Sequence, residues 1–415
     1  MRVPVSRAPA PRRALVALLL AWLLLVWPLA ACTAGREGAG GGERPSARGP
    51  FGDPPRIADG AGLPGWVVEA DFDASAGGFA LLAECVNDPA RPENGFCRQR
   101  VAVHDPAAGR WEPRASPLPE LRGTEGASAR LWVLGPGRAL IEDGGGDEPL
   151  RDWFTGDGGR SWRAVDPRPA GRTPDIPEGA VLTAECAGAP GTAPERCAGE
   201  RLVVLSPRDG RRRELVAQPP LGPHPRPART AEPDGSWWAS GILPGTGRTA
   251  VAVSRDAGRS WAVSPLPGPA GPPSRSVRVV VGPDAAYAAE TGAPDGRGQV
   301  LNPLRALHRS LDGGRTWERT WTGDGRREPR SLEGVPVPGP GARVEVPGQW
   351  SGHRSPDGGR TFRKLSDGTA YVRRTAAGLL REGPRCRYAL TRDGVRWTDF
   401  LLACGDDAGA GVPWS

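Results

Sequence analysis

The sequence predicts an all-β protein, a seven-bladed β-propeller, and three observations lead to this fold. An eight-residue pattern recurs along the chain, and its clearest copy is Ser310-Leu-Asp-Gly-Gly-Arg-Thr-Trp317. The aspartates of successive copies lie between 36 residues (Asp357 to Asp393) and 56 residues (Asp256 to Asp312) apart, which suits one four-stranded blade per copy. Short β-type runs flank most copies and predict hairpins, whereas no stretch after residue 31 has an extended helical period.

Seven copies of the pattern, called Asp turns below, set the blade count. Their aspartates are Asp105, Asp157, Asp209, Asp256, Asp312, Asp357 and Asp393. The aromatic residues that close six of them are Trp111, Trp162, Trp261, Trp317, Phe362 and Trp397. The copies at Asp105 and Asp209 are weaker than the others. Because the copy at Asp209 is degenerate, six blades with one irregular insertion remain the alternative. We expect the early run from Trp66 to Ala70 to complete the last blade and close the ring.

The residue types of an Asp turn predict a structural role. A short aspartate accepts hydrogen bonds from backbone N–H groups just downstream, and the two glycines allow positive φ without a Cβ clash. The closing tryptophan covers the turn with a large apolar face. A ring of calcium-binding carboxylates is the competing interpretation, but calcium needs about six to eight oxygens in one place, and each turn offers one acid. We therefore expect neither a metal site nor a cofactor.

The first 31 residues have the three parts of a secretory signal peptide. A basic stretch ends at Arg13, an apolar run follows, and the segment ends Leu29-Ala-Ala-Cys32. This ending resembles a bacterial lipobox, and the resemblance implies that Cys32 carries a lipid that holds the protein on a membrane; simple secretion is the alternative. The predicted organisation is a signal peptide over 1–31, a flexible tether over 32–62, the propeller over 63–405 and a tail over 406–415.

The charge balance argues against nucleic acid as a partner. The formal net charge is +7, but four arginines and no acid lie in the leader, so the mature chain is nearly neutral. No basic run with interleaved aromatic residues occurs in the sequence.

Six cysteines remain beyond Cys32, an even number that predicts disulfides in an oxidising compartment. Local spacing favours the pairs Cys85–Cys97, Cys186–Cys197 and Cys386–Cys404. A zinc site is the rival interpretation, but the sequence has no Cys-x-x-Cys and no histidine close to a cysteine.

The Asp turns resemble the Asp-box, or BNR repeat, of sialidases, sortilin-type receptor domains, some xyloglucan-active glycosidases and photosystem assembly factors. The resemblance covers most of the mature chain and implies a propeller with the turns between the third and fourth strands of its blades. Alternate loops of an antiparallel blade lie at opposite ends, so we expect function among the loops at the end away from the Asp turns.

Sialidases of this family use three arginines, a tyrosine nucleophile paired with a glutamate, and an acidic acid/base. Tyr371, which has arginines close by, and Tyr287, which has Glu290 nearby, are the candidate nucleophiles in this sequence. A tyrosine packed within a blade is the competing interpretation for each. A two-carboxylate glycosidase would use Asp143, Asp147 and Glu148, which share one loop, although acids in a Gly-rich loop are usually just solvated.

The sequence therefore favours a non-catalytic, monomeric cell-surface lipoprotein that binds a glycan or a protein through the loops opposite the Asp turns. An exo-α-sialidase-like glycoside hydrolase and an assembly or stability factor for a membrane complex are the alternatives.

Overall fold

The structure is a computed structural model that describes residues 51–405, apart from 87, 89, 92–93, 123–128, 144–150, 187–196, 269–275, 295–298 and 366–369. The predictions for the signal peptide, for Cys32, Asp147 and Glu148, and for the tail 406–415 lie outside the described residues.

The described residues form seven sheets, which are the blades of the propeller. Blade 1 contains β1 (Trp66–Phe72), β2 (Gly78–Val86), β3 (Phe96–Asp105), β4 (Arg110–Arg114) and the short β5 (Leu121–Arg122). Blade 2 contains β6 (Arg130–Gly135), β7 (Arg138–Asp143), β8 (Arg151–Thr155) and β9 (Arg163–Val165). Blade 3 contains β10 (Arg172–Thr173), β11 (Val181–Cys186), β12 (Glu200–Leu205) and β13 (Arg212–Leu215). Blade 4 contains β14 (Arg226–Pro227), β15 (Trp237–Leu243), β16 (Arg248–Ser254) and β17 (Ala262–Pro265).

The last three blades complete the ring. Blade 5 contains β18 (Ser276–Val281), β19 (Ala286–Thr291), β20 (Leu304–Ser310) and β21 (Glu318–Thr322). Blade 6 contains β22 (Val337–Pro338), β23 (Val344–Val346), β24 (His353–Ser355) and β25 (Arg363–Lys364). Blade 7 contains β26 (Tyr371–Thr375), β27 (Gly378–Glu382), β28 (Arg387–Thr391) and β29 (Thr398–Leu401). The predicted seven-bladed, all-β fold is confirmed, and the described part of the chain has no α-helix.

The core lies between neighbouring blades. Seven clusters of buried apolar side chains join blade to blade, including the junction of blade 7 with blade 1. The aromatic residue that closes an Asp turn packs on the preceding blade. Edge-to-face pairs of this kind are Trp162 with Phe79 at 6.4 Å, Trp317 with Trp238 at 6.1 Å and Phe362 with Trp321 at 5.1 Å between ring centroids. The repeated tryptophan therefore joins adjacent blades besides covering its own turn.

The ring closes through the segment before β1, and this corrects two expectations. Gly60 forms a parallel bridge with Leu402, directly after β29, and Trp111 donates its indole N–H to the Ala58 carbonyl at 2.8 Å. Ile57 is buried in the same junction. The packed region thus begins before residue 63, because residues assigned to the tether over 32–62 satisfy backbone groups at the edge of blade 7.

The strand that begins at Trp66 is the first strand of blade 1, where it pairs with β2. Blade 7 already has four strands from its own repeat. The expectation that the Trp66 strand completes the last blade is therefore wrong.

Blade 3 departs from the pattern of the other six. Its strand order is β10-β13-β12-β11, so β10 lies at the outer edge, where it runs parallel to β13. In the other blades a first strand pairs with the second strand on the side of the propeller axis. Among the described residues no strand of blade 3 takes that place. The segment that begins with β14 of blade 4 lies beside β11 instead, and the Leu182 N–H donates to the Arg229 carbonyl at 2.9 Å.

The three disulfides pair as predicted: Cys85–Cys97, Cys186–Cys197 and Cys386–Cys404. Cys85 and Cys97 are register partners across β2 and β3. Three disulfides indicate an oxidising, extracytoplasmic environment.

Candidate functional site

The propeller has two chemically different ends. Asp turns connect third to fourth strands, as at Asp157 between β8 and β9 and at Asp312 between β20 and β21. We call this the Asp-turn end. The loops between second and third strands and the connections between most blades lie at the other end, called the open end. First strands run parallel to third strands, so they begin at the open end and end at the Asp-turn end.

The Asp turns satisfy their polar groups internally. In the clearest copy the Ser310 hydroxyl donates to Asp312 at 2.8 Å and accepts from the Gly314 N–H at 2.7 Å. Asp312 also accepts from the backbone N–H of Thr316 at 2.9 Å and from its hydroxyl at 2.6 Å. The carboxylate is therefore surrounded by donors from its own turn.

Hydrogen bonds to the carboxylates keep these aspartates ionised. The hydroxyl and N–H of Ser161 lower the pKa of Asp157 to about 2, and those of Ser260 lower the pKa of Asp256 to about 2. No three His, Cys, Asp or Glu side chains within the described ranges are grouped so that they could hold a metal ion.

In the weaker copies, at Asp105 and Asp209, the aspartate accepts fewer hydrogen bonds from its own turn. Asp105 accepts from the Ala107 N–H at 2.9 Å, and Asp209 makes a salt bridge to Arg213 at 2.7 Å. Asp393, by contrast, accepts from the N–H groups of Val395 at 2.9 Å and Arg396 at 2.8 Å and from the Thr391 hydroxyl, much as Asp312 does in its own turn. All seven aspartates thus hold turns closed at one end of the propeller.

Charged side chains and one tyrosine from four blades meet inside the ring. We call this group the axial charge cluster, and its members are Glu69, Asp71, Arg130, Arg229, Tyr371 and Arg373. They lie on the first strands β1, β6 and β26 and just after β14. Arg130 and Tyr371 are the first residues of their strands, so a ligand that enters from the open end meets them before Arg229.

Two arginines of this cluster, Arg229 and Arg373, form salt bridges, and Arg229 is the more exposed of the two. Its guanidinium lies 3.8 Å from Glu69 and 4.6 Å from the centre of the Trp132 ring. Its side chain keeps 52% of its surface exposed, and no hydrogen bond joins its guanidinium to any described residue. Burial by the surrounding walls lowers the pKa of Arg229, Glu69 raises it, and Arg373 and Arg130 lower it further.

Asp71 and Arg373 form the enclosed part of the cluster. Asp71 lies 3.6 Å from Arg373 and accepts from the Val133 N–H at 3.3 Å. Burial raises the pKa of Asp71 to about 6, although Arg373 opposes the shift. Arg373 is held by Glu382 at 2.6 Å, so its guanidinium is committed to protein carboxylates.

The candidate catalytic residues do not form one site. Tyr287 is 1% exposed, and its hydroxyl contacts the Ala342 carbonyl at 3.5 Å. Glu290 points to the opposite face of β19 and lies 2.6 Å from the buried His308. Asp143 ends β7 opposite Arg151, and the other two acids of its loop lie outside the described residues.

Tyr371 is the tyrosine that the structure brings to the axis. It is 40% exposed at the start of β26 and lies close to Arg229. The sequence drew attention to Tyr371 through Arg373 and Arg374. It did not identify Arg130, Arg229 or Glu69, because these come from distant blades and no local pattern connects them.

An exposed tryptophan marks the rim of the open end. Trp350 lies between β23 and β24, is 49% exposed, and stacks on the Arg330 guanidinium at 5.1 Å. Arg330 is in turn bonded to Glu328 at 2.8 Å. Gln349 ties this loop to its neighbour, because it accepts from the Leu301 N–H at 3.0 Å. Exposed Trp, backed by an ordered Arg, is typical of interaction surfaces.

A cleft of about 630 Å³ lies between blades 3 and 4 at the open end. Leu221, Pro223, Ile242 and Pro244 give it apolar walls, and Glu200 adds a carboxylate that bonds Arg226 at 3.3 Å.

A second group of buried charges lies between blades 2 and 3. Arg212 contacts three carboxylates, those of Glu142, of Asp152 and, at 2.6 Å, of Glu185. Burial, followed by repulsion from Glu142, raises the pKa of Glu185 to about 7. One guanidinium shared among three acids leaves Glu185 undercompensated.

No protein-family model and no curated protein matches the sequence. Solved structures do match. One is a GH74 xyloglucanase from Xanthomonas campestris, with 15% identity, 83% of this chain and 74% of that chain covered, and a TM-score of 0.31. Another is a PL25 ulvan lyase, with 11% identity, coverage of 85% and 96%, and a TM-score of 0.41. A third is TolB from Acinetobacter baumannii, with 12% identity, coverage of 79% and 80%, and a TM-score of 0.32.

Similarity at this level gives no information on ligand or activity. Within the described residues, no helix is long and apolar enough to cross a membrane.

Proposed function

We propose that the chain is a non-catalytic, extracytoplasmic binding protein, held on the membrane through a lipid on Cys32. It takes an acidic ligand, a glycan or a protein, at the open end of a monomeric propeller. The observation that carries the proposal is Arg229, which is half exposed inside the ring and has one ion-pair contact, at 3.8 Å. At the Asp-turn end, by contrast, the polar groups of the turns hydrogen-bond to one another.

The surroundings of Arg229 favour a ligand with a negative group. Arg130 and Tyr371 lie between it and the open end, and Trp350 lies half exposed on the rim of the same end. Arg, Tyr and Trp are the side chains that most often dominate binding energy at protein surfaces. A guanidinium that already lies partly outside water loses little further hydration when an anion binds it.

The test is binding of the purified chain to one array that carries neutral glycans, acidic glycans and acidic peptides. We expect retention by acidic members, with Arg229→Gln weakening it about tenfold, the loss of one charge-assisted contact. Arg259→Gln is the matched control, because Arg259 is an exposed arginine of the Asp-turn end. Equal binding by wild type and Arg229→Gln, or no binding to any member, would sink the proposal.

An exo-α-sialidase-like hydrolase is the second candidate, and one observation favours it. Arg130, Arg229 and Arg373 gather around the axis together with Tyr371 and Glu69. Against it, Arg373 is held by Glu382 at 2.6 Å. Turnover of a fluorogenic sialoside that is abolished in Tyr371→Phe would favour the enzyme over the binding protein.

A further inference from the structure

The chain enters the propeller from the Asp-turn end. Asp53 forms an ion pair with Arg396, which belongs to the Asp turn of blade 7. The Ala58 N–H donates to the Nε2 atom of His104 at 3.2 Å, directly before the Asp turn of blade 1. These two contacts place residues 53–58 beside two neighbouring Asp turns.

From there the chain runs toward the open end. Gly60 forms a parallel bridge with Leu402, and the Cys404 N–H donates to the Ala61 carbonyl at 3.1 Å. Because β29 leaves an Asp turn and runs to the open end, a segment parallel to it runs the same way. It reaches β1, which begins at the open end. The part of the chain before residue 51 therefore joins the propeller at the Asp-turn end.

The lipid proposed for Cys32 holds this end close to the membrane. Eighteen residues, 33 to 50, separate Cys32 from Phe51. Even a fully extended chain of this length spans only about 65 Å. A domain on so short a tether meets the surface at a high effective concentration, so weak contacts are enough to orient it.

Exposed arginines surround the Asp-turn end. Five Asp turns have an exposed arginine three residues after the aspartate: Arg160, Arg259, Arg315, Arg360 and Arg396. The Arg160 guanidinium donates to the Asp157 carbonyl at 3.0 Å, and neither Arg160 nor Arg315 forms an ion pair with another described residue. Except for Asp157, the aspartates of these five turns are buried or half-buried. The positive groups are therefore more accessible than the negative ones.

Two apolar side chains project from the same end. Leu311 is 70% exposed, more than any other large apolar side chain in the described ranges, and Val395 is 40% exposed beside Arg396. The Arg255 guanidinium donates to the Gly313 carbonyl, so a second cation lies in the turn of Leu311. Apolar side chains among cations are typical of surfaces that rest on the headgroups of anionic lipids.

We propose that the Asp-turn end docks on an anionic phospholipid membrane, and that the open end, with Arg229, faces away from it. The arginines of the turns meet lipid phosphates, and Leu311 enters the headgroup layer. The inference rests on the proposed function, because the lipid on Cys32 supplies the anchor. It adds the orientation of the protein and the surface that contacts the membrane.

Energy transfer from a fluorophore on the protein to acceptor-labelled lipid headgroups measures this orientation. Pro356→Cys places the fluorophore on an exposed position of an Asp turn, and Trp350→Cys places it at the open end of the same blade, because β24 lies between them. The six cysteines beyond Cys32 form disulfides, so the introduced cysteine is the free thiol of the lipidated chain. The lipidated full chain is reconstituted on vesicles of phosphatidylglycerol and phosphatidylcholine.

We expect the rate of energy transfer from Pro356→Cys to be at least about twice that from Trp350→Cys, since the strand between them spans about 20 Å. Arg160→Gln/Arg315→Gln, high salt and vesicles without phosphatidylglycerol should each bring the two rates closer together. Arg98→Gln is the matched control, because Arg98 is an exposed arginine of the open end, and it should keep the difference.

Four results would overturn membrane docking by the Asp-turn end. Equal transfer would mean that the propeller has no preferred orientation, and greater transfer from Trp350→Cys would mean that the open end faces the membrane. A difference that survives both Arg160→Gln/Arg315→Gln and neutral vesicles would exclude contact with anionic lipid. Transfer between donor and acceptor fluorophores on Pro356→Cys alone would mean that a second copy of the chain covers this end.

Failure of the inference differs from failure of the proposed function. If the inference alone fails, the chain stays on the vesicles and its acidic ligands still respond to Arg229→Gln. If Cys32 carries no lipid, neither fluorophore transfers energy to the vesicles, and the anchor of the proposed function fails together with the orientation.

Discussion

The Arg229 guanidinium lies over the indole of Trp132, 4.6 Å from the ring centre, although the two residues belong to blades 4 and 2. Side chains of these blades can meet because no strand of blade 3 stands between them at the axis. Trp132 is buried in the junction with blade 3, whereas Arg229 stays half exposed. The pair thus combines a packing residue with a residue that is free to bind.

Substitution should separate these two roles. Trp132→Ala removes a buried aromatic side chain and should lower the free energy of unfolding by about 3–5 kcal/mol. Arg229→Gln removes an exposed cation–π contact and a long ion pair, so it should cost no more than about 1 kcal/mol. Chemical denaturation of both variants measures the difference. Equal losses would mean that Arg229 is mainly a structural residue.

The Asp turns should depend on their first residue as well as on the aspartate. Ser310 is 2% exposed, and its hydroxyl bonds both Asp312 and the Gly314 N–H. Ser310→Ala leaves a buried N–H without an acceptor and should lower the free energy of unfolding by about 1–3 kcal/mol. Leu311→Ser in the same turn is the control, because Leu311 is 70% exposed and should have little effect. A silent Ser310→Ala would contradict this account of the turn.

The sequence predicts the fold because the information is local and repeated. Every Asp turn has its donors within four residues, so its spacing alone counts the blades. Disulfide pairing is local too, since each pair flanks one loop or hairpin. The different strand order of blade 3 is only weakly indicated by the sequence. Between Val165 and Ala180 the chain has four prolines and no β-type run that could serve as a first strand.

The candidate site could not be found in the same way. Arg130, Arg229 and Glu69 become neighbours only because three blades point their first strands at one axis. Glu142, Glu185 and Arg212 meet only because blades 2 and 3 pack face to face. Side chains that converge from separate repeats leave no spacing in the sequence, so reasoning from local motifs selected tyrosines and acids that lie apart in the structure.

Glu185 should make the protein less stable at alkaline pH. Its pKa is raised from 4.5 to about 7 in the folded chain, so the fold favours its neutral form. This contribution is complete below about pH 4.5 and is lost as the pH rises through about 7. Glu185→Gln should therefore gain about 1–3 kcal/mol over wild type at pH 8 and nothing at pH 4.5, as measured by urea unfolding.

Glu185→Asp serves as the control for this prediction, because it keeps a titrating carboxylate in the same place. It should retain a dependence on pH that Glu185→Gln lacks. The free energy of unfolding of Glu185→Gln could instead equal that of wild type at every pH. Arg212 would then compensate the charge of Glu185 fully, although it also contacts two other carboxylates, and the prediction would be wrong.

His104 should make the ring closure sensitive to acid. Its Nδ1 lies 2.8 Å from the Ala76 carbonyl and therefore carries the proton, so its Nε2 accepts from the Ala58 N–H at 3.2 Å. Burial lowers the pKa of His104, although the Ala76 carbonyl, Asp105 and Asp73 oppose the shift. The stability it contributes is complete above about pH 6.5 and falls as the pH drops below that value, because the unfolded chain takes up the proton first.

Hydrogen exchange at the Ala58 amide measures this effect, once the intrinsic pH dependence of exchange is removed. Protection should fall between pH 7 and pH 5 in wild type. In His104→Asn the side chain does not titrate, so protection should be lower throughout and independent of pH. Protection that is constant in wild type would mean that the Ala58 bond does not depend on neutral His104.

The Cys386–Cys404 disulfide should matter more for ring closure than Cys85–Cys97. The Cys404 N–H donates to the Ala61 carbonyl at 3.1 Å, next to the bridge between Gly60 and Leu402, so this disulfide holds the closing segment. The chain-entropy model gives each bond about 3 kcal/mol, since the closed loops span similar lengths of 18 and 12 residues. Replacing both cysteines of either pair by alanine should thus lower overall stability by similar amounts.

Proteolysis before residue 63 should increase only in Cys386→Ala/Cys404→Ala, and the Cys85→Ala/Cys97→Ala protein is its matched control. Equal cleavage in the two proteins would show that hydrogen bonds, without the disulfide, hold the ring closed.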